Sequence, residues 1–416
     1  MRLRTDLLTE KHGGTNVPSE GEYFIGDVRD LLPDLVKKYA GTVKCVYMDP
    51  PFLTGKKFEM RQRVGEAQWK SGRGTLVLNA FSDRQDPAEY WDMIRSVLTA
   101  SREMLRDDGT IFVHIDYRTH ARMRLMMDEI FGEENFLNEI VWSYSTGGRS
   151  EKHFSRKHDI ILFFSKTKQY AFDAEAVAVP RDTEHTNHMK RHVDPDGRTY
   201  RSIRVGGKVY TYYDDEPVPP GDVWTDVSHL QQKDPQRTGY DTQKPLKLLE
   251  RIIGCSTKPG DLVFDPFSGS GTAADAAAKT GRRFLACDAS LPALQTARRR
   301  LDGRPCVFHT LPCEAPAECA AACVKEVGLY RVTLQAFRTE GGFDGLDAVD
   351  SWAVGYPEDG ALRVYDRSVR TWKTPRLNAE LTLPVYAKTP VMRVSDVYGR
   401  DRYYELAEAE DAVIPE

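Results

Sequence analysis

Apolar positions along the first part of the chain fall into two alternating periods. In "VRDLLPDLVKKYAG" they recur at helical spacing and stop at Gly41, which predicts a helix; "VKCVYM" follows as a short apolar run, which predicts a buried strand. With "YFIGD" read as the end of a preceding strand, this is a strand, helix, strand unit. The succession repeats. A helix starts at about Pro87 in "DPAEYWDMIRSVLTASREML", a turn falls at "DDG", and "TIFVHI" is a strand; "RTHARMRLMMDEIFG" is a helix ended by Gly132, and "HDIILFFSK" is another strand. Strands alternating with helices predict a mainly parallel, doubly wound α/β sheet covered on both faces.

The rhythm fails between Ala171 and Tyr240, where short strand-like pieces, "RTYRSIRV" and "KVYTYY", are joined by "GG" among many His, Arg, Lys and Tyr residues. It returns in "QKPLKLLERIIGCSTKPGDLVFDPFSGSGTAADAAAKTGRRFLACDASLPALQTARRRL" as helix, strand, glycine loop, helix, strand, helix. Beyond Leu301 scattered aromatic and β-branched segments predict a mixed or β-rich region. The expected organisation is one α/β domain from residues 20–170 and 240–304, an inserted lobe at 171–239, and an accessory domain at 305–416. One further segment, "LTGKKFEMRQRVGEAQWKSGRGT", reads either as a solvated loop or as a mobile arm along a phosphate backbone. It carries Lys56, Lys57, Arg61, Arg63, Lys70 and Arg73.

Composition changes this picture little. A chain of 416 residues, 40% hydrophobic and 29% charged, is typical of a globular protein. No apolar run reaches the length of a membrane span, and "MRLRTDLLTEKHGG" has no apolar core of a signal peptide, so a cytoplasmic location without membrane contact is expected. The formal net charge of −4 neither announces nor excludes a nucleic-acid partner, because a large enzyme can confine basic surface to one cleft. Seven cysteines, an odd number partly inside core segments, point to reduced thiols. Cys306, Cys313, Cys319 and Cys323 lie near His309 without a CxxC spacing; His153, His158, His185, His188 and His192 have no paired ligand spacing. No metal is expected at either cluster.

Two stretches carry candidate chemistry. In "LVFDPFSGSGTAADAAAKTG", Gly269 and Gly271 form a turn between a buried strand and an alanine-rich helix. A ligand can approach the backbone there, and the helix N-terminus favours an anion. Simple strand-to-helix packing would need the same turn. Some twenty residues on, "RRFLACD" ends in Asp288, placed to accept ribose hydroxyls, or else to cap the next helix in competition with Ser290. In "CVYMDPPFLTG", a strand ends in Asp49, Pro50, Pro51 and Phe52. Prolines fix the backbone without donating hydrogen bonds, so the Asp49 oxygens and a nearby main-chain carbonyl become a rigid set of acceptors suited to an exocyclic amino group. Phe52 offers a flat face for a base turned out of a duplex. The alternative is an Asp–Pro turn with a core phenylalanine.

"MDPPF" followed by "DPFSGSGT" resembles the two signature motifs of amino-methylating DNA methyltransferases, in the order of the permuted beta group. "GDVRDLL", "FSDR", "DDGTIFVHID", "EIFGEENFLNEIVW" and "TQKPLKLLERII" are similar to the same group, including type III modification subunits. The resemblance covers about 23–168 and 240–301. It implies a Rossmann-like methyltransferase sheet of seven strands, one antiparallel, with S-adenosyl-L-methionine as cofactor. Asp49, Pro50, Pro51 and Phe52 would hold and activate the target base. Asp265, Pro266, Phe267, Ser268, Gly269, Ser270, Gly271 and Thr272 would cradle the methionine part of the cofactor and Asp288 its ribose. Thr242, Gln243, Lys244 and Pro245 would flank the cofactor, and Asp27 would lie on its adenine side or serve as a plain cap.

The inserted lobe stands where the group carries target recognition. Arg181, Lys190, Arg191, Arg198, Arg201, Arg204, Lys208 and Asn187 are the expected DNA contacts, with Arg149 in a loop over the duplex and Lys56, Lys57, Arg61 and Arg63 in the basic arm. In the group that the motifs resemble, an acid at the first motif position goes with adenine N6 more than with cytosine N4, so the resemblance implies adenine, with cytosine N4 as the rival. The expected partners are double-stranded DNA, a second copy of the chain, and a restriction endonuclease unless the methylase is solitary. Two readings from other classes are an NAD-dependent oxidoreductase using the glycine loop and a catalytically silent DNA-binding subunit. Neither accounts for Asp49 through Phe52 and the glycine loop together.

Overall fold

The structure is a computed structural model. It describes residues 1–4, 6–13, 19–65, 75–145, 150–183, 189–311, 313, 317–371 and 374–407. Lys70, Arg73, Arg149, His185, Asn187 and His188 lie outside these residues.

Eight strands frame the site: β1 (Gly21–Ile25), β2 (Val43–Met48), β3 (Leu105–Ile115), β4 (Phe136–Ser143), β5 (His158–Ser165), β6 (Leu262–Asp265), β7 (Arg283–Asp288) and β8 (Cys306–His309). Their order in the sheet is β8, β1, β7, β6, β2, β3, β5, β4. From β1 to β4 these are seven strands with one, β5, antiparallel to both its neighbours. The strand β2 from early in the chain lies beside β6 from two hundred residues later, so "MDPPF" and "DPFSGSGT" leave the sheet at adjacent strand ends. Open α/β sheets bind ligands at such strand ends.

The helices are set by local chemistry. Asp27 caps α1 (Val28–Tyr39) by accepting from Arg29 N at 2.9 Å, and Asp86 caps α2 (Pro87–Met104) by accepting from Ala88 N at 2.8 Å. α3 (His120–Phe131) stops at Gly132, α4 (Leu246–Ser256) precedes β6, and α5 (Thr272–Lys279) follows the glycine loop; α6 (Leu291–Arg300) follows β7. The strands alternate their side chains between two apolar layers. Tyr47 and Cys45 face the layer of α4 and α5, while Val46 and Met48 face that of α1 and α2.

Three segments depart from the sequence reading. First, β3 pairs from Leu105: Val43 faces Leu105 and Cys45 faces Thr110, so "RDDG" bulges out of a strand that has already begun. Second, the basic segment after Phe52 contains strand structure. Lys57–Arg63 pairs antiparallel with Thr75–Ser82. Phe58, Met60 and Gln62 turn inward while Lys57, Glu59, Arg61 and Arg63 alternate outward. Third, part of the β-rich region near the C-terminus continues the central sheet, while Glu318–Lys325, Leu329–Arg338 and Glu380–Pro384 form a separate three-stranded antiparallel sheet. Beyond β8 come Thr9–Lys11, Ala361–Val369, Val349–Glu358, Val391–Asp396, Asp401–Glu405 and Arg2–Arg4, which with Val223–Trp224 at the opposite edge make fifteen strands among the described residues. Charges tie this region to the cofactor half. Arg298 of α6, fully buried, donates to both oxygens of Asp401 at 2.8 and 2.7 Å and to Glu10 at 2.8 Å, and Arg393 donates to Glu10 at 3.0 Å.

Within the insertion, Lys190–Val193, Thr199–Val205 and Lys208–Tyr213 form a separate three-stranded antiparallel sheet. Its hairpin turns at Gly206 and Gly207, whose φ values of 57° and 83° suit glycine. Val223–Trp224 then pairs with β4 and returns the chain to the main sheet.

Candidate active site

Because β2 and β6 run parallel side by side, Asp49 just past Met48 and Asp265 at the end of its strand open into one cavity of about 350 Å³. Asp27, Asp49, Pro50, Pro51 and Phe52 line it from the first half of the chain. Thr242, Lys244, Asp265, Pro266, Phe267, Ser268, Gly269, Ser270, Thr272 and Asp288 line it from the second. Tyr47, Phe58, Phe81, Asp83 and Tyr240 complete the wall.

Three residues expected at the cofactor stand off the cavity wall. Gln243 is buried in its own loop, accepting from Thr238 N and Oγ1 at 2.9 Å each and donating to the Gln236 carbonyl at 2.6 Å. Pro245 occupies the N-terminal cap of α4. Gly271, left-handed at φ 73°, caps α5, and a Cβ there would meet Ala297 of α6 at 3.4 Å. Gly269 is the glycine on the wall: φ is 50°, and a Cβ would come within 3.3 Å of the Tyr240 ring.

The acids divide their work. Ser290 caps α6, accepting from Ala293 N at 3.2 Å, which leaves Asp288 on the cavity side. Asp288 accepts from Gly269 N at 2.7 Å and Ser290 N at 2.9 Å, so it also holds the glycine loop to the end of β7. Burial pushes the Asp288 carboxyl up, and burial pushes the Asp265 carboxyl well above the usual carboxylate range. Asp27 both caps α1 and lines the cavity. Its hydrogen bonds from the Arg29 side chain, at 3.0 and 2.6 Å, hold its carboxyl below the ordinary value.

Around Asp49 the structure adds partners that sequence spacing did not reveal. The Lys244 ammonium donates to Asp49 and lies 5.5 Å from the centre of the Phe52 ring. The Pro51 carbonyl accepts from Tyr90 Oη at 2.7 Å. Asp83 accepts from Thr54 N at 3.2 Å and Thr54 Oγ1 at 2.7 Å, pinning a loop in which Leu53 takes a positive φ of 53°. Behind Phe52, buried His114 joins Tyr47 Oη at 3.0 Å through Nδ1 and Asp159 at 3.3 Å through Nε2; Tyr144 Oη also donates to Asp159, at 3.2 Å. The polar His114 inside the apolar strand "TIFVHI" was the available signal for this network, and "FSDR" for Asp83.

The expected DNA contacts fall into two groups. Lys56, Lys57 and Arg61 are exposed along the hairpin, with Arg63 half-buried, and Lys190, Arg204 and Lys208 are exposed on the small sheet. The others have structural bonds. Arg201 is buried, donating to the Thr183 carbonyl at 3.1 Å, and Arg181 donates to the Tyr213 carbonyl at 2.9 Å. Arg198 pairs with Asp215 at 2.9 and 2.8 Å while lying 3.9 Å over the Tyr213 ring, and Arg191 reaches Asp214 at 3.3 Å. Arg201 in particular is a brace of the lobe, because a buried guanidinium bonded within the protein presents no donor to a duplex.

This arrangement, an acid and aromatic beside a glycine loop in one strand-end cavity, has a family. Residues 43–299 match the family described as DNA methylase, and the chain belongs to it. The type II methyltransferase M.EcaI of Enterobacter cloacae is 30% identical over 304 residues, covering 62% of this chain and 64% of its own length. The DNA adenine methyltransferase YhdJ of Escherichia coli (strain K12) is 27% identical over 275 residues, covering 66% of this chain and 81% of its own. Among solved structures, the PvuII DNA methyltransferase, cytosine-N4-specific, aligns with a TM-score of 0.44 at 17% identity over 68% of this chain and 87% of its own. No helix among the described residues is long and apolar enough to cross a membrane.

Proposed function

We propose that this chain methylates the exocyclic N6 of an adenine flipped out of double-stranded DNA, at a specific sequence, with S-adenosyl-L-methionine as the methyl donor. The observation that carries the reading is that Asp49 and Phe52 share one cavity with the glycine loop and Asp288. The residues present fit the cofactor: Gly269 leaves space that a Cβ would take, and Asp288 and Asp265 are carboxylates suited to ribose hydroxyls and an ammonium group. Bound there, the cofactor supplies an electrophilic methyl group.

The chain's own residues do the rest. Asp49 and the Pro50 carbonyl accept the two N–H bonds of the target amine, since the Pro51 carbonyl already serves Tyr90. Accepting both bonds returns electron density to a nitrogen whose lone pair is delocalised into the base. Phe52 stacks on the base, and the loop pinned by Tyr90 and Asp83 holds that geometry in advance. Lys244 donates to the same Asp49 carboxylate, so the target amine shares or takes that acceptor from it.

The acid in "DPPF" and the name of YhdJ support adenine over cytosine. Relatives include the Mod subunit of the type III restriction–modification enzyme EcoP15I, 31% identical over 177 residues. That likeness supports a role in restriction–modification with a cognate endonuclease, the alternative being a solitary methylase; we propose a cytoplasmic enzyme that can pair with a second copy of the chain. Nucleoside analysis of DNA treated in vitro is the test: N6-methyladenine is expected, and N4-methylcytosine alone would overturn the choice of base. Asp49→Ala should abolish the product while leaving S-adenosylmethionine binding measurable by calorimetry.

A further inference from the structure

We propose that Phe154 is the wedge that fills the base stack when the target adenine leaves it, making it a positioning residue for the reaction. The proposal rests on the base-flipping reading above. Phe154 is 99% exposed, about twice the 50% of Tyr117 and Phe172, the next most exposed aromatic side chains among the described residues.

The ring is held out by a structured turn. Ser155 Oγ accepts from Ser150 N at 3.1 Å, Ser150 Oγ accepts from Lys152 N at 3.3 Å, and His153 Nδ1 meets the Phe154 carbonyl at 3.0 Å. Arg156 then anchors the turn by lying 4.0 Å over the ring of Tyr117, just beyond the end of β3.

Topology sets this turn at the catalytic edge. β4 and β5 pair until Ser143 faces His158, and Ile115 at the end of β3 faces Ile160, so the connection leaves the same edge of the sheet as Asp49, two strands along from β2. Tyr144, one residue past β4, bonds Asp159, which bonds His114, whose ring lies 6.1 Å from Phe52. The neighbours of Phe154 suit a phosphate backbone: Lys152 and Arg156 are exposed, with His153 and Lys157 in the same run. An exposed apolar ring set among cations at the sheet edge that carries the cavity matches a duplex better than an apolar protein surface. Proteins that extrude or kink bases insert such wedges, and the vacated stack is the cost they offset.

The experiment compares the full-length wild type, Phe154→Ala and Phe154→Trp on an oligonucleotide duplex containing the sequence that wild-type protein methylates in plasmid DNA. Because the ring makes no core contact, all three should melt alike. Phe154→Ala should lower kcat/KM roughly ten- to a hundredfold and lose the fluorescence rise of 2-aminopurine placed at the target. Phe154→Trp should retain both. A duplex with an abasic site opposite the target adenine, which leaves it unpaired and cheaper to flip, should restore Phe154→Ala to near wild-type rate, which a role limited to phosphate contact would not allow. Wild-type rate and fluorescence for Phe154→Ala would overturn the proposal and leave the methylation reading standing. So would a defect not rescued by the abasic duplex, or a change confined to oligomeric state. If wild type itself makes no methyladenine, the underlying reading fails instead.

Discussion

The inserted lobe and the C-terminal region are both β-structured additions to the same α/β core, yet they are held by opposite means. The small sheet of the lobe leaves Val193, Ile203, Val205 and Val209 exposed, and its ion pairs, such as Arg198 with Asp215, lie in water and add little. The C-terminal strands extend the central sheet and are fastened to α6 by charges removed from water, Arg298 with Asp401 and Glu10. The first arrangement leaves a surface free to meet a large ligand. The second makes the folding of the cofactor half depend on residues a hundred positions further on, since α6 directly follows the strand that ends in Asp288.

The contrast can be broken most sharply at Arg298. Arg298→Met leaves buried Asp401 without its guanidinium and Glu10 with one fewer cation, and we expect about 3–5 kcal/mol of destabilisation, with cofactor binding lost along with the fold. Calorimetric melting with and without S-adenosylmethionine checks it, and a loss of binding with an unchanged Tm would contradict it. In the lobe, Arg201→Met should cost about 1–3 kcal/mol locally. Hydrogen exchange should rise across residues 190–213 while cofactor affinity stays unchanged.

Between the two regions sits the cavity, where Asp265→Asn should separate stability from function. Its folded-state pKa is raised, so the folded protein binds the proton more tightly than the unfolded chain. That contribution is present below the unfolded pKa and is lost as pH rises towards the folded value. The amide variant should therefore melt higher than wild type at neutral pH without cofactor, and its advantage should shrink on acidification. It should also bind S-adenosylmethionine more weakly. The smallest structural effect is expected for exposed Arg204→Ala: stability within about 0.5 kcal/mol, DNA affinity lowered, and the slope of log affinity against log salt reduced by about one.

Much of this was legible along the chain because its causes are local. The helix at Val28–Tyr39 with its Asp27 cap, the buried run Val43–Met48 and the glycine loop before an alanine helix follow from periodicity and capping alone. The hairpin strand Lys57–Arg63 was legible too, since Phe58, Met60 and Gln62 alternate with charges, but its four charged residues made it read as a loop. The pairing of Lys244 with Asp49 was not legible, because 195 residues separate them and the contact exists only through the adjacency of β2 and β6.

By itself the sequence determined which segments become strands and helices, and which residues carry acid, aromatic and glycine chemistry at their ends. Those properties depend on neighbours within a few positions. Only the tertiary structure decided that Asp49, Lys244 and Asp288 share one cavity, that Arg201 braces the lobe, that Gln243 turns away from the cavity, and that the last strands complete the first sheet. The order of strands in a sheet is settled by burial and pairing between distant segments, and no period along the chain records it.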